Sequence, residues 1–227
     1  MCRRAKYSLD DDNKRTAQAR ADEWHERALK LSSGHVEITK DISNEKSNLI
    51  NAEELTVIKQ RLNKIGVKNI NNFEQLQSVE VIEKFISQLE YLNKNYDKMF
   101  LRIDIVDLKY NDIAQVSPAK VLQLNKRYFN SLATMENIIN EFIGKNILPK
   151  GANIEYIATH EWAHYITMDD LSNLKSPMYT LFRRTKQKDF ICRNSYRDVY
   201  EFIADTIACE INGIPCKNAK QVLKYYL

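Results

Sequence analysis

Glycine and proline are scarce in this chain, at five and four of 227 residues. So few turn formers exclude a fold built from many short strands and tight turns, and the expectation is mostly helix. Cysteine is nearly as sparse. Cys2, Cys192, Cys209 and Cys216 form no C-x-x-C pair, and their spacing outlines no disulfide framework, which points to a reducing compartment. No stretch reaches the roughly 18 apolar residues of a membrane span. The first residues, "MCRRAKYSLDDDNKR", lack the apolar core of a secretory signal. The expected location is therefore a cytoplasm, with no membrane partner. Net charge is only +4, far from the strongly basic footprint of a nucleic-acid binder, so no nucleic-acid partner is expected.

What is present is ordinary in bulk and specific in places. Hydrophobic residues make up 44% and charged residues 28%, as in globular domains. Residues 8–31 read as a polar helix that Ser8 could cap, with Asp10, Asp11 and Asp12 in its first turn, where the helix dipole favours negative charge. Its apolar stripe is thin, so it is either a docking arm for a partner or an arm laid on its own domain. Residues 32–50 read as a linker, and a short helix over about 52–64 ends at Gly66. From Ser78 to Asn95, Val81, Ile82, Phe85, Ile86, Leu89 and Leu92 recur at the helical period. "FLRIDIVDL" alternates as a half-buried strand does, and "IAQVS" and "KVLQLN" are shorter strand candidates. Ser131 caps a further helix that buries Leu132, Met135, Ile138, Ile139 and Phe142. These elements give an α+β class, with an arm and linker over 1–75 and a catalytic domain over 76–227.

Chemistry concentrates in "THEWAH". His160 and His164 lie four residues apart on a helix starting near Asn153, so their rings stack on one face. Two imidazoles so placed can hold one Zn2+. Glu161, about 100° further round the helix, sits out of the ligand position but within reach of a metal-bound water, as a general base. Apolar residues flank the histidines on both sides, which disfavours an ordinary solvated helix. The third ligand is sought in "SYRDVYEFIADTIACEING", a helix started by Ser195 or Asp198 and ended by Asn212 and Gly213. Glu201 and Asp205 share one face of its apolar middle. Uncompensated burial of two carboxylates is costly. Glu201 as a metal ligand and Asp205 as hydrogen-bond acceptor for a ligand histidine would relieve both.

His160-Glu161-x-x-His164 followed by Glu201-x-x-Ala204-Asp205 resembles the zincin metallopeptidases with a glutamate third ligand. It is most similar to the compact zincin domains attached to phage minor head proteins, relatives of the anthrax lethal factor catalytic domain and of small proline-specific secreted peptidases. "VLQLNKRYF" resembles the strand and turn these domains place before the active-site helix, and "CRRAKYS…ADEWHERA" resembles phage head-protein sequence. The likeness spans roughly residues 78–213. It implies a mainly helical zincin-like fold with a small mixed sheet, a bound zinc ion, a protein or peptide substrate, phage structural proteins as partners of the N-terminal arm, and a place in the bacterial host's cytoplasm or on the virion. It further implies an oxyanion-stabilising tyrosine ahead of the ligand glutamate. Tyr196 is the nearest equivalent, about two residues closer than the usual pattern, with Tyr200 and Arg197 as substitutes. Glu201 to Ala208 also resembles metallopeptidases of mobile elements that clip phage repressors, although no DNA-binding module accompanies it here.

The expected function is zinc-dependent peptide hydrolysis, with the "KVLQLN" strand as upper rim of the cleft. Two alternatives stay open: a phage assembly protein whose zinc is only structural, and an injected metallopeptidase toxin. The basic run "RRTKQK" either lines the cleft or is a solvated loop, and Cys209 is either a thiol near the metal or a small buried residue.

Overall fold

The computed structural model describes residues 50–227. The helix expected over 8–31 lies outside the described residues, as does nearly all of the linker after it. The chain divides between Glu45 and Lys46, earlier than the division at 75 read from the sequence. The reason lies in helix α1 (Ala52–Lys64), which carries a capping box between Asn51 and Glu54. It buries Ile58 and Leu62 in the same core as the helices that follow. Arg61 forks onto Glu90 of the next helix, at 2.9 and 2.8 Å.

The larger unit is α+β, with seven α-helices and one four-stranded mixed sheet among the described residues. The strands are β1 (Asn69–Asn71), β2 (Arg102–Val106), β3 (Ala114–Val116) and β4 (Leu122–Asn125), in the order β1-β2-β4-β3. β1 and β4 run parallel to β2, and β3 lies antiparallel to β4 at the edge. Ile103 pairs with Leu122 and Ile105 with Leu124. These four side chains are buried, as the two-residue period of a strand with one core face requires. β1, Asn-Ile-Asn, is too short for its alternation to stand out, and pairing with β2 makes it a strand. Asp104 points to the opposite side, where Arg102 and Asn71 satisfy it at 2.7–2.8 Å.

The remaining helices are α2 (Val79–Tyr96), α3 (Leu132–Gly144), α4 (Ile154–Leu171), α5 (Pro177–Arg184), α6 (Val199–Ile211) and α7 (Ala219–Tyr226). Each N-terminus from α2 to α6 has a side-chain cap, namely Ser78, Ser131, Asn153, Ser176 and Asp198. Such caps satisfy amide donors that the first turn leaves unpaired. Every one of the first ten residues of α4 is buried except Glu155, although Thr159, His160 and Glu161 among them are polar. A helix buried on all sides lies inside the core, and its polar groups there must find partners. It packs most extensively on α6, then on α2. Ala158 and Ala163 on α4 and Ala204 and Ala208 on α6 have no exposure, and small side chains permit a short interhelical distance.

The C-terminal helix is tied back to α4. Asp170 accepts hydrogen bonds from Tyr225 at 2.9 Å, Tyr226 at 2.7 Å and Ser176 at 2.7 Å. Burial of Asp170 favours its protonated form, but these hydroxyls more than offset it and hold the carboxyl below its ordinary pKa. No helix among the described residues is long and apolar enough to cross a membrane.

Candidate metal centre

α4 and α6 carry the candidate ligands. Asn153 starts α4 by accepting from the Tyr156 amide at 2.8 Å, which sets the phase of the helix. His160 and His164 then face the same way one turn apart. Their Nε2 atoms approach to 3.0 Å, and their rings stand nearly perpendicular, at 86°. Asp198 starts α6 by accepting from the amide of Glu201 at 3.0 Å, so this candidate ligand sits in the first turn. Its Oε2 lies 3.3 Å from Nε2 of His160 and its Oε1 3.7 Å from Nε2 of His164. The three side chains form the one group among the described residues whose donor atoms converge well enough to hold a metal ion.

The donor set fits a divalent cation. The two Nε2 atoms and the Glu201 carboxylate all turn to one point, where a cation would be met by three donor atoms at once. Metal–ligand bonds of about 2.0–2.1 Å in a tetrahedron put donor atoms roughly 3.3 Å apart, close to the separations found here. Glu161 gives an independent sign. It is buried, and its Oε2 has no hydrogen-bond partner among the described residues. Buried carboxylate oxygens are rarely left so. Burial pushes the Glu161 carboxyl above its ordinary pKa.

Asp205, fully buried one turn beyond Glu201, anchors the centre from behind. Its Oδ1 lies 2.9 Å from Nδ1 of His160. The contact is close but bent, since Nδ1 does not meet the geometry of a full hydrogen bond. The same oxygen accepts from Tyr156 at 2.5 Å. Oδ2 accepts from Ser195 at 2.8 Å and from Cys192 at 3.3 Å. Burial alone would favour a neutral His160 ring, but Asp205 and Glu201 outweigh it and hold the ring well above the ordinary histidine pKa. Burial likewise works against ionised Glu201, and the two histidines reverse it, holding that carboxyl far below its usual range. Cys192 is pushed up to about 12, chiefly by burial and then by Asp205, so it serves as a thiol donor and not as a thiolate ligand.

The cluster opens into a cavity of about 350 Å3. Ile157, Phe142 and Leu148 make an apolar wall, while Asp112, Asn194 and Arg197 make a polar one. Residues 113–116, including all of β3, close a third side. The rim is therefore the β3 edge and not the "KVLQLN" strand. β4 is paired on both sides, by β2 and β3, and has no free backbone to offer.

Tyr196 is not brought to this cavity. It is 53% exposed and packs edge-on against Phe190 with ring centroids 5.2 Å apart. Arg197 and Tyr200 do line the cavity. The Tyr200 hydroxyl donates to the Leu171 carbonyl at 2.9 Å. The run 183–188 does not line it either: Arg183 and Arg184 close α5, and Gln187–Asp189 forms a short 3-10 turn. Cys209 is buried and stands outside the donor cluster.

Several contributors carry no spacing signal. Asn194 donates to Oε2 of Glu201, and Cys192 and Ser195 reach Asp205 from the loop before α6. Tyr156 was findable, because it lies one turn before His160 on the same helix face. No protein-family model, curated protein or solved structure matches the chain.

Proposed function

We propose that the chain is a zinc-dependent peptidase of the zincin kind, with His160, His164 and Glu201 as metal ligands and Glu161 as general base. The observation that carries this reading is the buried, unpartnered Oε2 of Glu161 beside the converging His160, His164 and Glu201. A metal that only stabilised the fold would have no use for such a carboxylate, and its burial costs stability.

Bound zinc would lower the pKa of a coordinated water towards about 7 and polarise a carbonyl. Glu161 takes a proton from the water as its oxygen bonds to the peptide carbonyl carbon. It then delivers that proton to the amine nitrogen as the C–N bond breaks. Its buried, unpartnered oxygen beside the candidate ligands is placed for both transfers. Asp205 holds His160 in the tautomer that turns Nε2 into the cavity. The outer edge of β3, unpaired among the described residues, could take an extended peptide as a further strand. An origin in phage or prophage, and docking of the N-terminal arm on phage structural proteins, are supported by the sequence resemblance.

The test is metal content together with cleavage of a peptide library, for wild type beside Glu161→Gln. Wild type should cleave, and the variant should keep its zinc and lose hydrolysis. A wild type that holds zinc and cleaves nothing would leave a structural zinc site in a phage assembly protein as the better reading.

A further inference from the structure

Hydrolysis at this centre needs a donor for the negative charge that develops on the carbonyl oxygen, and four side chains near Glu201 come into question: Asn194, whose uncharged amide already donates to Oε2 of Glu201, Tyr196, Tyr200 and Arg197. Tyr196 is turned away onto Phe190. Tyr200 reaches the cavity with its hydroxyl proton already given to Leu171. Arg197 remains, and it is the one lysine or arginine among the described residues that line the cavity.

Its geometry suits the task. Nη2 lies 2.5 Å from Oε1 of Glu201, so the guanidinium stands directly against the ligand cluster. Nε donates to Asp198 at 3.2 Å, which braces the group from the start of α6. Nη1 takes part in neither contact. The side chain is 64% accessible, so a substrate can reach it. A planar guanidinium held by two carboxylates is oriented and charged at every working pH. Donors fixed before reaction are the kind that stabilise a developing oxyanion most effectively.

We infer that Arg197 is the oxyanion-binding catalytic residue of this site, donating hydrogen bonds to the carbonyl oxygen of the scissile peptide; this rests on the peptidase reading. The role passes from a phenol to a guanidinium one position along because the loop turns the neighbouring tyrosine outward.

The experiment compares wild type, Arg197→Met and Arg197→Ala on the peptide cleaved fastest by wild type. Metal content and binding of a phosphinic peptide of the same sequence, a mimic of the tetrahedral intermediate, are measured alongside. Arg197→Met should keep its metal and its KM while kcat falls by about 100- to 1000-fold. The phosphinic peptide should bind more weakly by a similar factor. Added guanidinium ion should restore part of the activity of Arg197→Ala. Wild-type cleavage with kcat preserved in Arg197→Met would overturn this inference alone. Metal loss in the variant in step with activity would also overturn it, assigning Arg197 to the support of Glu201. No cleavage by metal-loaded wild type would overturn the peptidase reading and this inference together.

Discussion

Tyr156 and His160 converge on one oxygen atom, Oδ1 of Asp205, at 2.5 Å and 2.9 Å. They are successive turns of the same helix, so a single carboxylate from α6 fixes both. Asp205→Asn removes the charge that faces Nδ1 of His160, a candidate ligand. Partners of ligand histidines typically contribute 10- to 100-fold in metal affinity, and a loss of about that size is expected, measured by competition against a chromogenic chelator. Tyr156→Phe should lose less, because Ser195 and Cys192 still hold the other oxygen. Unchanged affinity in both variants would remove Asp205 from the metal centre.

Metal removal should lower the thermal midpoint of the protein. Whatever binds the folded state alone stabilises it, by about 2.7 kcal/mol at a hundred times its dissociation constant. A melting curve with and without chelator reads this directly. The shift should vanish in His160→Ala, which deletes a donor. A chelator shift that persists in that variant would place the metal elsewhere.

The pinning of α7 by Asp170 predicts a particular response to acid. The folded-state pKa of Asp170 lies below its unfolded value. Its contribution is therefore fully present above the unfolded pKa and lost as pH falls through the folded one. Asp170→Asn should cost about 1–3 kcal/mol at neutral pH, the scale of hydrogen bonds to a charged group. The gap between variant and wild type should close below about pH 4. Urea unfolding at pH 7 and pH 3 checks both points; a gap of equal size at both would rule out ionised Asp170 as the source.

Ala208 tests the close approach of α4 and α6. It has no exposure, and Ala208→Leu should destabilise by about 1–3 kcal/mol through overpacking. Metal affinity should fall too, since the two ligand-bearing helices are pushed apart. Lower stability with full affinity would show that the centre tolerates a change in helix spacing.

Much of this layout was legible before any coordinates. The capped starts at Ser78, Ser131, Asn153 and Asp198 fall where polar residues precede apolar periodicity. The pairing of buried Glu201 with the two histidines could be reasoned from the cost of burying charge. β1 was not legible, because Asn69–Asn71 is a strand only by virtue of its neighbour β2. Nor were α5 and α7 identified; they are eight residues each, too short for periodicity to stand out. Tyr196 and Arg197 are adjacent, and spacing alone could not decide which of them faces the ligands. The loop 192–197 decides that, and loops carry no repeat from which direction can be read.

The brevity of β3 has an effect of its own. Three residues span about 10 Å, and a short edge strand is one way in which sheets limit edge-to-edge pairing. The same brevity limits how many backbone contacts an incoming strand can make. On the proposed peptidase reading, discrimination between substrates would fall to the side chains walling the hollow, and changes at Ile157, Phe142 and Leu148 should retune preference without disturbing the sheet.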